Sequence, residues 1–287
     1  MPQSSFTLID VFALRPLEGN LLAVVEDADE IDDVTMATLA RRFRLSETSF
    51  IQTATSTNAT YRHRIFIVEG EIPFAGHPSL GTAAVWAHRR KLTDAEVVQQ
   101  TISGEQLLRV RLDGAQGTVS LWQNPVAYGQ EVDFGPYLTA LALPPEAAHQ
   151  TLTAQVVSTG LPTLIVPLRD AGNLERVQVD IRILDQVMAA LPKDARPRTC
   201  YVVAEIGKGA WRARAFGAAL AGGEDPATGS AAGPFGAWLK ERTGLKDLVV
   251  TQGVEMGCPS EIRVDTGDGI VVSGDVHIIG EGTLTLP

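Results

Sequence analysis

Three short stretches hold the side chains best suited to moving a proton. LSETSFI (45–51) contains Glu47, FAGHPSLGTAA (74–84) places His77 directly before a proline, and GEDPATGSAA (223–232) does the same with Asp225. A carboxylate can take a proton from carbon and return it, while a neutral imidazole or a protonated carboxyl can hold a hydroxyl or carboxyl group. The glycines permit close approach of backbone to a ligand, and proline suits a helix start. Free N–H groups and the positive end of the helix dipole then make each run a candidate anion site. Two such loops facing each other could hold a small carboxylate between them. Plainer readings fit the same residues. Asp225 reads equally as a helix cap, His77 as a satisfied core histidine, Glu47 as an exposed helix-end glutamate, and the small residues as close helix–sheet packing.

The elements that would position these groups come in two copies. YRHRIF (61–66) returns as WRARAF (211–216), PSLGTAA (78–84) as PATGSAA (226–232), and RLDGAQGTV (111–119) as RVDTGDGIV (263–271). GNLLAVV (19–25) has a looser echo in GLPTLIVPL (160–168). Four matches in one order, offset by about 150 residues, indicate an internal duplication. The shared run sets His77 opposite Asp225. Two repeats are too few for a solenoid, so the expectation is two similar domains related by a pseudo-two-fold axis. We place them at residues 1–125 and 126–276, with the C-terminal tail 277–287 able to pack back onto the first. Residues 123–150, rich in Pro, Gly and turn formers, read as a linker.

Alternation in TYRHRIFIV and LLRVRL marks strands, with Gly, Asp and Asn at the turns. DDVTMATLARRFRL sets Val34, Met36, Leu39, Ala40 and Phe43 on one helical face with Asp32 or Asp33 as cap, and IRILDQVMAAL (181–191) is its counterpart. An alanine-rich helix follows each glycine run, as GTAAVWAHRRKL and as SAAGPFGAWLKE. Pro234 inside the second implies a kink or a later start. Many strands around one apolar helix give an α+β class, with each domain a curled sheet or barrel on a central helix.

Composition narrows the function. The chain has 287 residues, 45% hydrophobic and 20% charged, with a formal net charge of −10, a normal globular balance with enough apolar residues for a sizeable core. Such an acidic protein repels polyanions, so nucleic acid and anionic membranes are poor partners. MPQSSFTLIDVF does not read as a secretion signal, and no apolar run is long enough to cross a bilayer. Cys200 and Cys258 are too few for a disulfide framework and lack metal-ligand spacing, and no HExxH, GxxxxGK[ST] or GxGxxG pattern occurs. The expectation is a cytoplasmic protein with no metal and no cofactor.

LSETSFI, FAGHPSLGTAA and EDPATGSA, together with the opening DVFALRPLEGNLLAVV, resemble the PhzF-like phenazine-biosynthesis isomerases from about Ile9 to Leu286. The resemblance implies the diaminopimelate epimerase-like fold, a cofactor-independent isomerase and a homodimer. It also implies a reaction similar to that of trans-2,3-dihydro-3-hydroxyanthranilate isomerase. Carried onto this chain, Glu47 becomes the general acid/base, with a pKa expected nearer neutrality than a free glutamate's. His77 and Asp225 become its polar partners, Gly76, Gly229 and Ser230 line the substrate site, and Ser46 is a further contact. Leu21 stands where relatives often carry proline. Two alternatives remain: a two-thiol epimerase or racemase, for which neither cysteine sits in the facing loops, and a small-carboxylate binding protein without catalysis.

Overall fold

The computed structural model describes residues 3–193 and 195–286. Contacts divide the chain into one unit of Met1–Trp122 with Ser273–Pro287 and a second of Gln123–Val272.

In the first unit the order is β1 (Gln3–Val11), β2 (Asn20–Val25), α1 (Asp33–Phe43), β3 (Thr48–Gln52), β4 (Tyr61–Ile67), β5 (Gly70–Ile72), α2 (Gly76–Arg89), β6 (Asp94–Thr101), β7 (Gly104–Asp113) and β8 (Gln116–Gln123). The second unit holds β9 (Ala127–Val132), α3 (Phe134–Ala140), β10 (Ala154–Ser158), β11 (Pro162–Pro167), α4 (Ala171–Glu175), α5 (Ile181–Ala189), β12 (Thr199–Gly207) and β13 (Ala210–Phe216). It continues with β14 (Glu224–Asp225), α6 (Gly229–Thr243), β15 (Asp247–Gln252) and β16 (Ser260–Asp265). The last strand is β17 (Ile270–Thr285), which from Ser273 onward belongs to the first unit.

Strands of the first unit close on themselves in the order β1, β2, β3, β4, β6, β7, β8, β17. The β2–β3 and β4–β6 pairs are parallel. The second unit repeats this succession from β9 to β16, with parallel pairs at β11–β12 and β13–β15. Inside the first barrel α2 touches β1, β2, β3, β4, β6 and β7, and it is buried along nearly its whole length. A helix apolar on every side belongs in a core, and its run of Gly and Ala lets the strands approach. The second unit wraps α6 in the same way. The class is α+β, as the composition of elements implied.

Several expectations need correction. Residues 123–150 are not a linker: they supply β9 and α3 to the second unit, where Tyr137, Leu138 and Leu141 join its core. On α1, Asp32 caps the helix by accepting from the Thr35 N–H at 2.7 Å, and Met36 and Ala40 are buried, but Val34 is 73% exposed. Strand β4 does not simply alternate. Arg64 and Phe66 are buried as well, because α1 covers the face that α2 does not: Arg64 reaches Asp33 at 2.6 Å, and Phe66 joins Met36 in one cluster. Helix α2 begins earlier than expected, taking Gly76, His77 and Pro78 as its first turn, where a proline breaks no hydrogen bond. Helix α6 neither stops nor starts late at Pro234 but runs through it. It forgoes one bond, to the carbonyl of Ser230.

The largest correction concerns the repeat itself. Phe66 pairs with Glu71 and Ile65 with Ile72, while Phe216 pairs with Glu224 and Ala215 with Asp225. The helices then start at Gly76 and Gly229, four residues beyond Ile72 and Asp225. The true correspondence is therefore EIPFAGH with EDPATGS. Asp225 occupies the place of Ile72, and His77 that of Ser230. The match of PSLGTAA with PATGSAA is a similarity of letters shifted out of strand register.

Candidate active site

Glu47 follows the turn that ends α1, where Arg44 takes the left-handed conformation (φ 55°) and stops the helix. The chain then enters β3, pinned between β2 and β4. Glu47 is thus held at a strand entrance rather than on a free helix end, with its side chain 14% exposed. Its Oε2 lies 3.5 Å from Nδ1 of His77, in the first turn of α2. The Asn20 amide nitrogen approaches the same Nδ1 at 3.3 Å. Asn20 opens β2 directly after Gly19, whose positive φ (76°) and contact with the Val11 carbonyl leave no room for a Cβ. Three separate segments thus converge on one imidazole.

His77 is 3% exposed, and its Nε2 has no hydrogen-bond partner among the described residues. Burial pushes its pKa down to about 3, helped by the nearby His63, so the ring is neutral at ordinary pH and offers hydrogen bonds rather than charge. Gly76 precedes it as the first residue of α2, and Ser46 precedes Glu47 in the chain. The first unit therefore brings Ser46, Glu47, Gly76 and His77 to one end of α2.

The second unit carries Asp225, Gly229 and Ser230 at the start of α6. Asp225 is buried, and Oδ2 accepts from the Thr228 hydroxyl at 2.6 Å. It does not cap α6: Thr228 is the residue at the cap position, and Asp225 sits in strand pairing with Ala215. Gln252 fixes the turn by donating to the Asp225 carbonyl (2.7 Å) and the Thr228 hydroxyl (2.9 Å) while accepting from the Thr228 N–H (3.2 Å) and the Tyr201 phenol (3.1 Å). Burial and the charge of Asp225 keep that phenol protonated. Asn20 and Gln252 escaped the sequence reading because their partners lie far away in the chain, and Thr228, three residues from Asp225, lay unremarked inside PATGSAA. The asparagine in GNLLAVV directly after a glycine was the one available signal.

Among the described residues, no group of three or more His, Cys, Asp and Glu could hold a metal ion, and no helix is long and apolar enough to cross a membrane.

Comparison with known proteins gives the family and the fold. A family model described as phenazine biosynthesis-like protein matches residues 9–285. The trans-2,3-dihydro-3-hydroxyanthranilate isomerase of Pseudomonas chlororaphis is 31% identical, covering 98% of this chain and 99% of its own. The solved structure of a predicted epimerase from Pseudomonas aeruginosa superposes with a TM-score of 0.86 at 31% identity, over 99% of this chain and 100% of that one. A hydroxyproline epimerase from Agrobacterium vitis shares the fold at a TM-score of 0.68 and 12% identity, over 98% of this chain and 92% of that one.

Proposed function

The chain belongs to the phenazine biosynthesis-like family and is an isomerase, and on that premise we propose that it moves a proton on a small unsaturated carboxylate similar to trans-2,3-dihydro-3-hydroxyanthranilate, with Glu47 as general acid/base. The observation that carries this reading is the Glu47 carboxylate held 3.5 Å from a buried imidazole at the entrance of a buried helix.

The proposed step balances within the substrate. Glu47 takes a proton from one carbon, the double bonds shift, and the same carboxyl returns the proton to another carbon. Nothing is oxidised or reduced, so cofactor independence is part of the proposal. Neutral His77 holds a hydroxyl or carboxyl oxygen of the substrate through Nε2, whose buried position otherwise costs a hydrogen bond. The N–H groups around Gly76, and those of Gly229 and Ser230, suit a carboxylate by their place at helix starts. Asp225 is the second unit's polar partner for the substrate, and Ser46 is a further contact.

A two-thiol racemase fits less well. Cys200 lies fully buried on β12, and burial pushes its thiol up to about 12, too high for a group that must exchange protons near neutrality. Incubation with trans-2,3-dihydro-3-hydroxyanthranilate and a panel of small unsaturated acids in D2O, followed by mass spectrometry, tests the reading. A turned-over acid should carry solvent deuterium with no added metal or cofactor, and thiol alkylation should leave the rate intact. Binding of an acid without deuterium uptake would instead indicate a binding protein, and loss of exchange on alkylation a cysteine racemase.

A further inference from the structure

In the first unit the residues behind the site form a connected polar cluster in the core. His63, on the buried face of β4, has its Nε2 within 2.8 Å of the Ser49 hydroxyl and 3.2 Å of the Thr82 hydroxyl. Its Nδ1 donates to Oε1 of Gln99 at 2.9 Å. Gln99 in turn donates from Nε2 to the Ser79 hydroxyl (2.8 Å) and to Gln106 (3.0 Å), and Ser79 donates to the Ala75 carbonyl at 2.7 Å. Each of these groups is buried. Gln99 Oε1 can only accept, so the Nδ1 of His63 carries a proton. Burial lowers the His63 pKa to about 4.

The second unit shows what the fold requires at these places. Strand register sets Ser49 opposite Tyr201, His63 opposite Ala213 and Gln99 opposite Val250. Counting from the helix starts sets Ser79 opposite Ala232 and Thr82 opposite Phe235. Every one of those counterparts is fully or almost fully buried, and Tyr201 and Phe235 pack edge to face. At these places the second barrel closes around aromatic and aliphatic side chains, with the Tyr201 phenol reaching out to Gln252. A buried polar network carries a desolvation cost that such a filling avoids, and replacing one by well-packed apolar residues is often neutral or stabilising. Its presence at these particular places in one unit alone asks for another reason.

Both ends of the network supply that reason. Ser49 lies two residues beyond Glu47, and Ala75 caps the helix whose second residue is His77. We infer that His63 is a positioning residue, bridging β3 to the start of α2 and so fixing the placement of Glu47 against His77. It touches neither substrate nor reacting atoms. The inference rests on the proposed roles of Glu47 and His77 for its catalytic consequence, but its geometric claim stands alone.

Ser49→Ala and Ser79→Ala each delete one hydroxyl of the network, with Val119→Ala, a buried β8 residue, as a control for general loosening. The first readout is the His77 ring by 15N and 13C NMR, assigned with His77→Gln. Both serine variants should move it and Val119→Ala should not. The second is deuterium uptake into trans-2,3-dihydro-3-hydroxyanthranilate. There kcat should fall about 10-fold in the serine variants with KM within about twofold, as expected for a displaced catalytic group. His63→Gln, which keeps a donor and an acceptor, should lose less than His63→Leu. Serine variants that leave the His77 ring where wild type holds it, or a control that moves it as far, would overturn the inference. If wild type takes up no deuterium, the functional reading fails while the ring measurement still decides this one.

Discussion

In both units an arginine on the repeated strand clamps a glutamate on the short strand after it. Arg64 binds Glu71 at 2.8 and 2.6 Å, Arg214 binds Glu224 at 2.8 and 2.8 Å, and each guanidinium lies over a phenylalanine, Phe66 or Phe216. Five residues beyond each glutamate a glycine begins the central helix. On this common frame the side chains that matter differ. The place of Glu47 is held in the second unit by Thr199, that of His77 by Ser230, and that of Asp225 in the first unit by Ile72. Duplication kept the backbone frame, while the candidate site residues of the two copies stand at different points along it.

The anchoring differs too. Asp225 is fastened within its own turn, by the Thr228 hydroxyl at its carboxylate and by Gln252 at its carbonyl. His77 is met directly by Asn20, and by our inference it is also held from further away, through the His63 network that ends at the Ala75 carbonyl. A short tether and a long one should respond differently to substitution, and three outcomes sharpen the contrast.

Of these three, the largest effect is expected at Asp225→Asn. Loss of its charge should slow deuterium exchange by about 10²-fold and weaken binding as well. Thr228 keeps an oxygen acceptor, so the melting temperature should change little. Exchange at the wild-type rate would remove Asp225 from the site. Next comes Gln252→Leu, which strands the Asp225 carbonyl, the Thr228 N–H and the Tyr201 phenol together. Denaturant unfolding should show a loss of about 2–3 kcal/mol, and a change below about 0.5 kcal/mol would mean that the turn holds without it.

The smallest effect concerns pH. His63 and His77 are driven down to about 4 and about 3 in the folded protein, below the ordinary 6.5 they regain on unfolding. Between about pH 6.5 and 4 the unfolded chain therefore binds more protons, and stability falls as pH falls; above 6.5 the contribution is constant. Each histidine adds a slope of at most about 1.4 kcal/mol per pH unit. His63→Ala, the residue of the second repeat, should flatten the difference in that window. Parallel stability curves for wild type and variant would show that His63 is not held neutral by the fold.

How much of this was legible beforehand follows the same division. Periodicity revealed β4, β7, α1 and α5, and the glycine runs announced both central helices, since those signals are local. The linker reading of 123–150 failed because prolines and glycines between short elements mimic an unstructured stretch. The repeat alignment failed because PSLGTAA and PATGSAA match letter for letter more closely than EIPFAGH and EDPATGS, and only strand pairing shows which proline answers which. Glu47, His77 and Asp225 were visible as motif residues. His63 sat in plain view as the buried-face residue of YRHRIF, but its partners Ser49, Thr82 and Gln99 come from three other elements, and no spacing rule joins them.

The central claim is that Glu47 carries the proton. The direct measurement is solvent-deuterium exchange by wild type and Glu47→Gln on the same acid, with ligand affinity and melting temperature determined alongside. Glutamine keeps the size of the side chain but cannot accept and return a proton. Exchange should fall about 10²–10⁴-fold, affinity should change far less, and the melting temperature should hardly move. A Glu47→Gln enzyme that exchanges deuterium at nearly the wild-type rate would contradict the account, leaving Glu47 as a residue at the entrance of β3 and nothing more.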